Sequence, residues 1–289
     1  MVQTVAFYVD LTQENARRVA AEATSGARDA GYRVALCDGQ DAKLNLADKG
    51  THVKDAQYLV AIGGDGTLLR AARIAYPHDI PLLGINTGRL GFLTELELDG
   101  DGRMRSELKR VLEDKADLVI EERAALEVQL PDGKTHVALN DIVVHKGDAS
   151  RMDTFSLALD GEHVADLPSD GVVVATPTGS TAYFLSAGGP IISPQVDAFG
   201  IAALLPHTLF ARPLIVPTHM TIEICVDSES LHAALVADGE MVANLAPRDR
   251  VFIRRAPKPF RFAHHGQLRY FSRLEQKLRW GVSIRGTSR

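Results

Sequence analysis

Apolar and polar positions follow one rhythm early in the chain and another later. At first, short apolar runs at Thr4–Val9, Arg33–Leu36, Tyr58–Ile62 and Pro81–Ile85 alternate with helical stretches at Gln13–Ala30 and Leu68–Ile74. Strands alternating with helices predict βαβ units, hence a parallel sheet with helices on both faces. Open sheets of this kind bind ligands at the carboxyl ends of their strands, which here are the glycine-rich loops at Gly63 and beyond Asn86.

From about Leu118 the texture changes to short alternating strands closed by Asp-Gly turns. Leu126–Leu130 precedes Asp132-Gly133, Phe155–Leu159 precedes Asp160-Gly161, and Leu235–Ala237 precedes Asp238-Gly239. In Thr221–Val226 the residues Ile222, Ile224 and Val226 point one way while Thr221, Glu223 and Cys225 point the other. Two domains are therefore expected, with a boundary near the charged stretch Glu113–Asp117. Residues 1–116 form an α/β domain with a Rossmann-like parallel sheet, and residues 117–260 a mainly antiparallel β-sandwich. The tail 261–289 packs back on the first domain and is helical over Phe271–Gly281, where Leu274 and Leu278 stand four apart.

Composition narrows the function classes. The 289 residues are 45% hydrophobic and 24% charged, enough for buried cores, with a net charge of -5 and a pI near 6.1. No polybasic stretch offers a footprint for nucleic acid or an anionic membrane. The start Met1–Phe7 has neither a charged n-region nor a long apolar stretch, so a cytoplasmic location is expected. Cys37 and Cys225 have no CxxC neighbour and signal neither a disulfide framework nor a zinc site.

The chemistry concentrates in Leu59–Leu69, an apolar strand that runs into Gly63-Gly64-Asp65-Gly66-Thr67 and then into a helix. Glycines let the backbone approach a phosphate, and the helix N-terminus supplies unpaired N–H groups and a positive dipole end. An aspartate in such a cradle repels the anion unless a divalent cation bridges them or it acts as a base on an attacking hydroxyl. The plainer alternative makes Asp65 a helix cap in a tight turn. The loop is not a Walker A motif, since no Lys precedes Thr67, nor is it GxGxxG. A second polar segment, Asp170–Tyr183, reads as a strand, a Thr-Pro-Thr-Gly turn and a helix start, with the hydroxyls of Thr178, Ser180 and Thr181 beside helix N–H groups.

Gly63–Thr67 resembles the GGDGT signature shared by NAD kinases, by diacylglycerol and sphingosine kinases and, more distantly, by phosphofructokinases. Gly84–Leu93, Leu139-Asn140-Asp141 and Asp170–Tyr183, continuing through Ser186–Pro190, resemble NAD kinases specifically, and the order and spacing match over nearly the whole chain. The resemblance implies transfer of the ATP γ-phosphoryl group to the 2′-hydroxyl of the adenosine ribose of NAD, in a cleft between the domains. Asp65 then accepts the hydroxyl proton, and Mg²⁺ or another divalent cation, held mainly through ATP phosphates with Asp65 a possible ligand, neutralises the triphosphate. Gly63, Gly64, Gly66, Thr67, Asn86, Thr87 and Gly88 are implied to handle ATP phosphates, whereas Asn86–Gly88 by itself also reads as a plain turn.

On the NAD side the resemblance implies Asp65, Gly66, Asn140, Asp141, Asp170, Thr178, Thr181, Ala182, Tyr183 and Ser186. Tyr183 offers a ring face, although a core aromatic is the plainer reading. The family usually has Glu where Asp141 stands, so the reach of this carboxylate is shorter. Asp238-Gly239-Glu240 departs from the family's usual DGQ and reads as a hairpin turn. His207 resembles a family segment but is as readily a packed residue, and the His264-His265 pair is expected in an exposed loop with no third metal ligand at sensible spacing. The family also implies a homodimer or homotetramer. A lipid kinase with the same loop would need an apolar pocket that the polar Thr176–Tyr183 segment does not offer, and an NAD(P) sensor without turnover is disfavoured by the complete Asp65 loop.

Overall fold

The computed structural model describes residues 2–37, 39–88, 91–94, 96–97, 103–147, 153–226, 232–266 and 270–279. Arg89 and Leu90 of the Gly84–Leu93 segment, and Gly281 at the expected end of the tail helix, lie outside them. The chain divides into two compact units, Met1–Glu122 with Arg261–Arg289 and Arg123–Phe260.

The first unit is built on a seven-stranded sheet ordered Arg33–Leu36, Thr4–Val9, Ala56–Gly63, Leu82–Asn86, Phe260–His265, Leu118–Arg123, with the short strand Leu96–Glu97 beside Leu82–Asn86. Thr4–Val9 pairs in parallel with both neighbours, as do Ala56–Gly63 with Leu82–Asn86 and Leu82–Asn86 with Phe260–His265. The period-two pattern divides the strands: Val5, Phe7, Val9, Val60, Ile62, Leu83 and Ile85 face helix Glu14–Asp29 and helix Met104–Glu113 in one core. On the other face lies helix Asp65–Ala75, whose Leu68 approaches Gly84 so closely that a Cβ there would stand 2.6 Å from its Cδ1. A boundary at Glu113–Asp117 therefore falls short, because Leu118–Arg123 still belongs to this sheet.

The second unit is two six-stranded sheets, one ordered Glu162–Ser169, Asp153–Leu159, Ile222–Val226, Arg250–Arg255, Leu126–Gln129, Thr135–Ala138, the other Leu214–Pro217, Ala198–Leu204, Gly171–Ala175, Asp141–Lys146, Ala233–Ala237, Glu240–Leu245. Their inner faces share one core, with Val128, Phe155, Ile224 and Ile253 from the first meeting Val144, Val172, Phe199 and Leu235 from the second. The outer face of the second sheet carries Val143, Val173 and Ala202, which bury Phe184 of the helical turn Tyr183–Ser186. Among the described residues no helix is long and apolar enough to cross a membrane. Cys37 is buried and Cys225 half-buried.

Candidate active site

In the first unit the carboxyl ends of Thr4–Val9, Ala56–Gly63 and Leu82–Asn86 bring their loops together. Asp10 donates its backbone N–H to the Ile62 carbonyl at 2.9 Å, and Thr87 donates its own to the Gly63 carbonyl at 3.4 Å. Side chains tighten the cluster: Thr87 Oγ1 donates to Gln13 Oε1 at 3.0 Å, and Asn15 Nδ2 to the Thr87 carbonyl at 3.1 Å. Burial alone would raise the Asp10 carboxyl, but hydrogen bonds from Thr12 and Gln13, with Arg70 nearby, hold it below the usual carboxylate range. Asn86 is buried and its Oδ1 accepts the Gly88 N–H at 3.1 Å, so its side chain shapes the turn.

Helix Asp65–Ala75 starts directly after the strand, with Gly64 as its N-cap. Thr67 donates its N–H to the Gly64 carbonyl at 3.0 Å, and because Gly64 has no side chain to cap the turn, the N–H groups of Asp65 and Gly66 are the ones that an anion could meet. Gly63 allows the tight entry, since a Cβ at that position would stand 2.4 Å from Thr67 Oγ1. Asp65 is therefore the first residue inside the helix, and its carboxylate does not cap its own turn. It reaches instead into the Gly91–Thr94 turn, where Phe92 donates its N–H to Oδ2 at 2.9 Å and Leu93 donates to Oδ1 at 3.2 Å. Lys277, from the helix Tyr270–Leu278, donates to the same Oδ2 at 3.1 Å. Gly91 permits this approach, because a Cβ there would lie 2.1 Å from Asp65 Oδ1.

The second unit gathers its polar groups at the start of Asp141–Lys146 and the end of Gly171–Ala175, which are antiparallel neighbours. Thr176 donates its N–H to the Asn140 carbonyl at 2.9 Å and its hydroxyl to the Leu139 carbonyl at 2.6 Å, while Gly179 donates back to Thr176 Oγ1 at 3.0 Å. Gly179 must be glycine at this packing, since a Cβ would stand 2.0 Å from the Asn140 carbonyl oxygen. The turn's own hydroxyls are spent internally. Ser180 Oγ donates to Pro177 O at 2.6 Å and accepts from Ile192 N at 2.9 Å, and Thr181 Oγ1 donates to Thr178 O at 3.2 Å. Thr178 Oγ1 accepts from the buried Arg123 at 3.3 Å.

Asp238 is more than a hairpin residue. It adopts a left-handed φ of 47° before Gly239, and its carboxylate collects the N–H groups of Leu139, Asn140 and Asp141 at 2.8, 2.7 and 3.2 Å. Burial first, and then the neighbouring charge of Asp238, push the Asp141 carboxyl up to about 7, against a hydrogen bond from the Tyr183 N–H. Asp170, Tyr183 and Ser186 line a cavity of about 560 Å³ with His145, Lys146 and Leu205, and Lys146 pairs with Asp170 at 2.6 Å. Tyr183 is half exposed, so it is not the core aromatic of the plainer reading. His207, also half exposed, stands 4.0 Å from Asp170.

The histidine pair does not lie in an exposed loop. His264 and His265 end a central strand; His264 is buried 2.8 Å from Glu121, and His265 stands 3.5 Å from Asp114. A third potential ligand does exist: Asp114, Asp117 and His265 have ligand atoms within 4.8 Å of one another, brought together by the sheet rather than by sequence spacing. None of the three belongs to the glycine-rich loops.

Residues 6–119 match the ATP-NAD kinase N-terminal domain family, and residues 139–265 the ATP-NAD kinase C-terminal domain family. The NAD kinase of Moorella thermoacetica is 38% identical over 288 residues, covering 98% of this chain and 91% of that protein. The chain belongs to the NAD kinase family. Another NAD kinase, from Koribacter versatilis, is 42% identical over 229 residues, 78% of each chain. Among solved structures, an Archaeoglobus fulgidus NAD kinase in complex with ATP superposes with a TM-score of 0.72 at 26% identity, over 96% of this chain and 99% of that one. Yeast NADH kinase complexed with NADH has a TM-score of 0.86 at 24% identity over 99% of this chain and 90% of that one, which shows the shared fold.

Proposed function

We infer that the protein is an ATP-dependent NAD kinase: it transfers the ATP γ-phosphoryl group to the 2′-hydroxyl of the adenosine ribose of NAD, giving NADP and ADP. The observation that carries the reading is Asp65, a carboxylate at the start of a helix that a glycine loop leaves open to phosphates, yet directed away from its own helix and held by the Gly91–Thr94 turn. In the reaction Asp65 accepts the proton of the 2′-hydroxyl as its oxygen bonds the γ-phosphorus, and the bond from that phosphorus to the bridging oxygen breaks to release ADP. Gly63, Gly64, Gly66 and Thr67, with Asn86, Thr87 and Gly88, hold the donor phosphates.

Asn140, Asp141, Asp170, Thr178, Thr181, Ala182, Tyr183 and Ser186 receive NAD. Because the Thr178 and Thr181 hydroxyls have partners inside the protein, we assign these residues to shaping the surface, and the exposed Tyr183 ring to stacking. Asp141 is buried and stands at the upper end of the carboxylate range, so near neutral pH it can donate a proton to a ribose oxygen as well as accept one.

A divalent cation, Mg²⁺ by this reading, fits the side chains poorly. A carboxylate offers about four lone-pair positions, and Phe92, Leu93 and Lys277 take three of those on Asp65. The cation is therefore assigned to the ATP phosphates, where it neutralises triphosphate charge. The reading includes a cytoplasmic enzyme that assembles as a dimer or tetramer, supported by Leu209 and Phe210, which are 85% and 89% exposed on the second unit.

NADP formation from NAD and Mg²⁺-ATP by wild type and Asp65→Asn tests the reading, with circular dichroism to show that both are folded. A loss of about 10²–10⁴-fold in a folded variant is expected; a wild type that binds NAD but makes no NADP overturns it.

A further inference from the structure

We propose that Lys277 is a positioning residue for the phosphoryl transfer, fastening the Asp65 carboxylate so that one oxygen, Oδ1, is left to take the acceptor proton. The inference rests on the function proposed above and adds to it a residue 212 positions away in sequence.

Two groups on one face of the helix Tyr270–Leu278, Arg273 and Lys277, address the Asp65 turn. Leu274 is buried and anchors the helix in the first unit. Arg273 Nη1 donates to the Phe92 carbonyl at 3.4 Å. Lys277, four residues further and so one turn along the same face, donates to Asp65 Oδ2 at 3.1 Å and stands 4.2 Å from the centre of the Phe92 ring. Phe92 is also the residue whose N–H holds Oδ2. One ammonium thus grips the carboxylate and the residue that orients it, through an ion pair on one side and a cation–π contact on the other.

The consequence is an asymmetry between the two oxygens. Oδ2 accepts from both Phe92 and Lys277, which uses its lone pairs, while Oδ1 accepts only from Leu93 among the described residues. The remaining lone pair of Oδ1 is where a hydroxyl proton can be received without displacing a protein donor. The Lys277 and Asp65 side chains are 31% and 28% exposed, and ion pairs at such exposure add little to stability. The pair instead fixes a rotamer in a carboxylate whose misplacement would slow transfer without loosening substrate binding.

The test measures kcat, KM for NAD and KM for ATP in wild type, Lys277→Met and Lys277→Arg, and repeats Lys277→Met in the Asp65→Asn background, with thermal unfolding of each. Lys277→Met is expected to lower kcat about ten- to a hundredfold. Both KM values and the unfolding midpoint should stay close to wild type, because the lost interaction serves the transition state. Lys277→Arg should recover most of the rate. In the Asp65→Asn background Lys277→Met should cost no more than about twofold, because residues that act as a unit are not additive. A Lys277→Met enzyme with wild-type kcat, a defect confined to KM, an arginine variant no better than methionine, or an equal loss in the Asp65→Asn background would each overturn the proposal. A wild type without turnover overturns the function proposed above and this inference with it, whereas an active wild type beside an unaffected Lys277→Met overturns this inference alone.

Discussion

Asp238 Oδ1 accepts the backbone N–H of Asn140 at 2.7 Å, so the turn of one hairpin carries the segment that starts its neighbouring strand. The same arrangement sets a half-buried negative charge beside Asp141, and burial first, then that charge, push its carboxyl up to about 7 from an ordinary 3.8. The native state therefore keeps a proton that the unfolded chain releases above its own pKa. Its contribution to stability is full below about pH 4 and is lost as pH rises through about 7. Denaturant unfolding of wild type and Asp141→Asn should give similar stabilities at about pH 3 and diverge as pH rises towards about 7, above which the amide variant is the more stable by roughly 4 kcal/mol. Parallel curves across that range would refute the shift.

Gly91→Ala should fold and fail to turn over. A Cβ at that position would meet Asp65 Oδ1 at 2.1 Å and Thr94 Oγ1 at 2.8 Å, so the carboxylate must move. A displacement of that kind costs about 10²-fold in kcat, with a loss of about 1–3 kcal/mol in stability, since Leu93 and Thr94 of the same turn are buried and the added methyl overpacks it. Steady-state kinetics beside a thermal melt read both quantities.

Gly179→Ala acts on the second unit. Its Cβ would meet the Asn140 carbonyl at 2.0 Å, and backbone cannot swing aside as a flexible side chain can. Overpacking of this kind costs about 1–3 kcal/mol. Weaker NAD binding should accompany it, because the Asn140 carbonyl is already engaged by Thr176. Calorimetric titration with NAD beside denaturant unfolding checks the pair.

Phe210→Ser should shift the assembly towards smaller species in light scattering after gel filtration, without changing the unfolding of the isolated unit core, since Phe210 is 89% exposed in the single chain. An unchanged mass would remove Phe210 from the interface.

Local pattern carried the secondary structure well. The strands Thr4–Val9 and Arg33–Leu36 have the bounds that their apolar runs predict, and Gln13–Ala30 differs from the observed Glu14–Asp29 by one residue at each end. The tight glycine entry into helix Asp65–Ala75 was equally legible, because a backbone position that a Cβ would block leaves a mark in residue type. What holds Asp65 left none: Phe92 and Leu93 act through backbone N–H groups that any residue but proline possesses. Lys277 and Asp238 are ordinary charged residues whose partners lie far away in sequence. His264 failed for a related reason, since a histidine pair just before Gly266 reads as a solvated loop until the sheet sets Glu121 beside it. In the Thr178–Thr181 turn the sequence shows the hydroxyls but not their direction, and in the fold Ser180 and Thr181 donate theirs to carbonyls of the same turn.

The sheet of the first unit also imposes an order of events. Phe260–His265 lies between Leu82–Asn86 and Leu118–Arg123, two strands that leave the ribosome long before it. During synthesis that central slot stays vacant until the whole Arg123–Phe260 unit has emerged, and the second unit can fold while the first still waits for its missing strand. The helix that bears Lys277 arrives later still. A nascent chain can thus own every glycine of its phosphate loop and remain inert, becoming competent only when its last segment closes the sheet.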